Sequence, residues 1–221
     1  MNRRVIEAWI ERLSRAARLT IGDVDELALV AARGFVDEQG HRRPTDLWLM
    51  RWMLRSMGEN QNMETSEPAA ASDSTLDVQL WRTLALNEPA TMKIGAGPMQ
   101  SSEPAMVAIE AWTECELSAL HALWHLESRE LAMNAQPTGR RHSLGVARWH
   151  VEHTQPDNAT NSPWAIHVFV ALAAIEADAE AELYAQTQLH NCQITMGSPD
   201  RRSAMILADA ARALQELQAT G

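Results

Sequence analysis

Lysine is almost missing from this chain: among its 19 basic residues, Lys93 is the sole lysine and the rest are arginine. Tyrosine occurs once, phenylalanine twice and cysteine twice. Cys115 and Cys192 are too far apart in sequence for a C-x-x-C metal or redox pair, and two cysteines in 221 residues make no disulfide scaffold. Each sits in a helical stretch and reads as a free, buried thiol. No apolar run approaches the roughly 18 residues of a membrane span. The start, MNRRVIEAWIERLSRAARL, is basic but carries Glu7 and Glu11 and no continuous apolar segment, which argues against a signal peptide. A cytoplasmic protein with no membrane attachment is the expectation. The segment GAGPMQ, 95–100, lacks the third glycine of a dinucleotide loop and follows no clear strand, so phosphate binding is not expected there.

Positive charge is also scarce. The net charge is −10. An acidic body repels phosphate backbones, and nucleic acid is an improbable partner.

What the chain has in quantity is helix-forming residues, together with eight tryptophans and eleven methionines. At 221 residues it is long enough to bury a core without a disulfide or metal. Apolar residues at three- and four-residue spacing predict helices over 3–19, 24–38 and 46–57. The stretch 58–75 is nearly free of large apolar residues and reads as a flexible linker. A short helix is expected over 76–86. Ser102, Ser162 and Ser198, each next to or near a proline, mark helix starts and predict helices over 104–134, 163–193 and 199–218. The two longer ones are able to hide a break. The segment 135–162 alternates around Val146–Val151 but has no second strand to pair with, and it is expected to be an ordered loop. The fold class is therefore all-α: an antiparallel helical bundle or short helical-hairpin array over 76–221, with a small N-terminal helical part over 1–57.

Seven of the eight histidines fall between positions 121 and 190. On a helix over 104–134, Glu110, Glu114, Ser118, His121, His125 and Ser128 share an arc of about 80°, beside an apolar arc. His121 and His125, one turn apart, form a candidate metal pair. There is no H-E-x-x-H, and on these helices no glutamate lies three residues before a histidine, so the E-x-x-H pairs of di-iron bundles are missing. Glu116 and Glu127 intrude on the apolar arc, and a carboxylate there needs a partner.

The second cluster lies in RWHVEHTQPDNATNSPWAIHVF, 148–169. His153, Asp157 and His167 are candidate catalytic residues, with His153 or His167 as acid/base and Asp157 as orienter. His150, Asn158, Asn161 and Trp164 are candidate ligand-binding residues near a helix N-terminus that favours anions. Two readings stand. The first is a helical domain that binds a partner protein or a small ligand, through an exposed apolar patch around Trp48, Trp52 and Met53. The second is a metal-binding protein or a hydrolase- or lyase-type enzyme, with a His-rich pocket between the two long helices and the 135–162 loop. The sequence names no cofactor, and it leaves open whether the chain is an enzyme.

Overall fold

The computed structural model describes residues 1–21, 44–56, 75–89, 97–100, 109–134, 140–155, 161–194 and 200–220. These form eight helices and no strand: α1 (Arg3–Ile21), α2 (Pro44–Ser56), α3 (Leu76–Leu86), α4 (Ile109–Asn134), α5 (Arg141–His153), α6 (Ile166–Glu176), α7 (Ala179–Ile194) and α8 (Arg201–Thr220). The all-α expectation holds, with helices packed on helices. The helix expected over 24–38 and nearly all of 58–75 lie outside the described residues. No helix among the described residues is long and apolar enough to cross a membrane.

The apolar face of α1, built from Ile6, Trp9, Leu13, Ala17 and Ile21, lies against α8 and α6. Its backbone start is tied down by Asn2 N–H donating to Ala174 O at 2.7 Å. Alanines at 204, 210, 211 and 213 leave α8 slim on its packed side, which suits close approach of the large side chains of α1. α2 packs on α3, and α3 on α4. α6 occupies the centre. Its residues Ile166–Ala174 are all buried, the pattern of a helix covered on every side.

Two sequence expectations change here. The helix expected over 163–193 is two helices, broken at Ala177, which adopts a left-handed φ of 58°. Asp178 restarts the chain as α7 by accepting from Glu180 and Ala181 N–H. The expected 135–162 loop contains α5. Val146, Ala147 and His150 are buried at helical spacing, so the true period is 3.6 rather than 2.

The start of α5 is fixed by a residue from another helix. Glu127 of α4 accepts the N–H groups of His142 and Ser143 at 3.0 and 3.1 Å, and the Ser143 hydroxyl. Two of the amides left open at a helix start are thereby satisfied by a carboxylate that the helix dipole also favours. Glu116 acts likewise on the segment before α4, accepting from Met99 and Gln100 N–H at 3.0 and 2.5 Å. Both carboxylates on the apolar arc of α4 thus find the partners their burial demands.

Candidate metal centre

α4, α6 and α8 each send a chemically capable side chain to one buried point. His121 and His125 project from α4 one turn apart, and His167 comes from the first turn of α6. One nitrogen of each ring lies within 4.8 Å of one nitrogen of each of the others. The ring centroids of His121 and His167 are 4.3 Å apart, and those of His121 and His125 are 5.4 Å apart. From α8, Asp209 Oδ2 reaches His121 Nε2 at 3.1 Å and His125 Nε2 at 2.6 Å. All four residues are sealed: His121 and His167 are 0% exposed, Asp209 1% and His125 3%.

The wall is tryptophan. Trp81 faces His121 and His125 at centroid distances of 5.5 and 6.3 Å, Trp52 faces His125 at 5.1 Å, Trp164 faces His121 at 5.7 Å and Trp124 faces His167 at 5.4 Å. Trp81 is itself held by Nε1 donating to Ser118 Oγ, and Trp164 by Nε1 donating to Glu114 Oε1. Large rigid rings exclude water and lower the local dielectric, which strengthens any charge interaction inside.

This setting governs the titration of the cluster. Burial pushes His121 down to about 4 against the pull of Asp209, and it holds His167 well below the ordinary imidazole range, helped by the neighbouring imidazoles. Burial acts on Asp209 in the opposite sense, but His125, Arg212 and the hydrogen bonds from His121 and His125 outweigh it, so the carboxyl stays well below the usual range. At neutral pH, His121 and His167 are therefore uncharged beside an ionised carboxylate.

The backbone orients the site too. Ala165, at a left-handed φ of 56°, donates its N–H to His121 Nδ1 at 3.2 Å. Gln188 Nε2 holds the adjacent Trp164 carbonyl at 2.9 Å. With Nδ1 accepting from this amide, neutral His121 carries its proton on Nε2 and donates it to Asp209; to hold a cation at Nε2 as a neutral ligand, the ring would carry its proton on Nδ1 instead and give up the bond from Ala165.

His167 differs from its neighbours. Both of its ring nitrogens are buried and neither has a hydrogen-bond partner. A buried imidazole with two unmet polar atoms is costly and needs a reason.

The other residues marked by the sequence are placed as follows. His121, His125 and His167 come together; Trp164 packs against them. His150 is buried elsewhere, with Nδ1 3.3 Å from Thr154 Oγ1 and Nε2 3.6 Å from Glu116 Oε2. His153 is half exposed; its Nδ1 donates to Trp149 O and its ring stacks on Trp149 at 4.7 Å, away from the cluster. Asn161 is exposed, while Asp157 and Asn158 lie outside the described residues. Trp48 and Met53 are buried and Trp52 half-buried, so these residues form no exposed apolar patch.

Asp209 and Arg212 were not singled out by the sequence reading. Asp209 sits three residues after Ile206 and four before Ala213, on the buried stripe of α8. An acid on a core stripe was the available signal, the same one that marked Glu116 and Glu127. Compared with known proteins, the chain matches no family model, no curated protein and no solved structure.

Proposed function

We propose that this protein binds a divalent transition-metal cation, of the zinc type, through His121, His125, His167 and Asp209. The observation that carries the reading is His167. Both of its ring nitrogens are orphaned, and one of them lies within 4.8 Å of a nitrogen of His121 and of His125, close enough to share one ion. A cation supplies a partner for that nitrogen. Three imidazoles and one carboxylate suit zinc and its borderline neighbours, and the suppressed protonation of His121 and His167 favours their service as ligands at about pH 7.

The burial supports a closed site over a catalytic one. Catalytic zinc keeps a coordination position open to water or substrate, whereas structural zinc is enclosed by four protein donors. Three imidazoles able to share an ion are present here, with Asp209 against two of them, and all four side chains are sealed. A cation at this point crosslinks α4, α6 and α8, and its binding free energy adds to the folding free energy.

The test is elemental analysis of the purified full chain, followed by titration of chelator-stripped protein with zinc and with cobalt(II). The expected result is one ion per chain, a cobalt spectrum of tetrahedral intensity, and loss of both in His167→Ala. Protein that takes up neither ion, or a His167→Ala variant that binds as the parent does, overturns the reading.

A further inference from the structure

Behind the cluster stands a cation that belongs to the protein. Arg212, one turn after Asp209 on α8, places Nη2 2.5 Å from Asp209 Oδ1. Its Nη1 donates to Ser56 Oγ at the end of α2, and its guanidinium carbon lies 6.0 Å from the Trp52 ring, which itself covers His125. Ser56 Oγ is fixed in turn by donating to Met53 O at 2.7 Å. The guanidinium is therefore held in place from both sides.

We infer that Arg212 sets the affinity of the metal centre, weakening it so that the ion exchanges. This rests on the metal reading above. The two oxygens of Asp209 have divided tasks: Oδ2 faces His121 and His125, and Oδ1 is taken by Arg212. The carboxylate thus meets a cation through one oxygen only. The guanidinium also offsets the carboxylate charge, so a divalent ion meets a weaker attraction from its one anionic donor. In a site walled by tryptophan this like-charge opposition is poorly screened, although the Arg212 side chain is 27% exposed and water moderates it.

Three substitutions in the full chain separate charge from shape. Arg212→Gln keeps an N–H donor for Asp209 Oδ1 and removes the charge. Arg212→Met keeps the aliphatic stem over Trp52 and removes the charge. Arg212→Lys keeps the charge. Zinc affinity, read by competition with a chromophoric chelator, is expected to tighten about tenfold in Arg212→Gln, to tighten also in Arg212→Met, and to stay near the parent value in Arg212→Lys. The cobalt(II) spectrum is expected to be the same in Arg212→Gln as in the parent. A purely structural role for Arg212 predicts weaker binding in both uncharged variants. Affinity unchanged or weakened in both overturns the inference while leaving the site standing. A parent chain that binds no zinc removes the site and the inference together.

Discussion

His167 is the side chain whose surroundings serve folding least. It is fully buried, its proton-binding is suppressed by that burial, and neither ring nitrogen is met by a protein group. Leucine has a similar volume and no polar atoms. His167→Leu is therefore expected to raise the stability of chelator-treated protein by about 1–2 kcal/mol, part of the desolvation of two unpaired nitrogens, and to abolish metal binding. Urea unfolding in chelator checks the first outcome and zinc titration the second. A large loss of stability in chelator would show that the ring is well satisfied and the argument from orphaned nitrogens wrong. At this scale the sequence was informative about type and poor about partners. The pair His121/His125 could be read from one-turn spacing on a helix. His167 was visible as a candidate, but as a base beside His153 and Asp157, because a residue list carries no distance between helices. His153 instead stacks on Trp149 at the exposed end of α5.

Among the helices, α5 shows why local pattern failed over 135–162. Its first turn carries no acidic residue, and its N-cap residue, Arg140, makes no side-chain capping bond. The cap comes from Glu127, 15 and 16 positions earlier in the chain, through the two amides of His142 and Ser143. A helix whose start is satisfied by a neighbour leaves little trace in its own sequence. Glu127→Ala is expected to destabilise the protein by about 2–3 kcal/mol, since two amides and a buried hydroxyl lose their acceptor together. Glu127→Gln, which keeps one acceptor oxygen, is expected to recover part of the loss. Equilibrium unfolding of the three proteins tests this; equal stability of Glu127→Ala and the parent would mean that water caps α5 as well as the carboxylate does. Elsewhere the elements were legible where caps were local. The limits expected for 3–19 and 76–86 match α1 and α3 within two residues. The break between α6 and α7 was not marked, because an alanine takes the left-handed position where glycine is usual.

The whole molecule joins these pieces through a core that runs without interruption from α1 and α2 to α8. Burying uncharged imidazoles in that core gives stability a definite pH dependence. In the unfolded chain His121 and His167 take up protons near 6.5; in the folded chain His121 does so only near 4, and His167 lies well below 6.5. The unfolded state thus binds more protons below 6.5, and stability falls as the pH drops from there towards 4. His121 alone accounts for a loss on the order of 3 kcal/mol across that window. The carboxyl of Asp209 contributes stability that is complete above 3.8 and is lost only at lower pH, so it adds nothing to the decline between 6.5 and 4. Urea midpoints of chelator-treated protein at about pH 7, 5.5 and 4.5 are expected to fall steadily in the parent and less steeply in His167→Leu. A flat profile would place the imidazoles in contact with water.

Sequence alone determined that this chain is helical, because helix propensity and apolar periodicity are local properties that each segment carries with it. It determined that His121 and His125 share a face, because one helical turn fixes that relation whatever the helix packs against. It determined as well that acids on core stripes needed partners, though not which ones. Only the tertiary structure decided that α6 and α8 lie against α4, that His167 and Asp209 meet the histidine pair, and that Arg212 stands behind the carboxylate. Those relations span 46 to 91 positions from His121 (His167 is 46 and Arg212 is 91 residues on). At such separations side-chain proximity is set by how whole apolar faces bury one another, and no short pattern of residues encodes it.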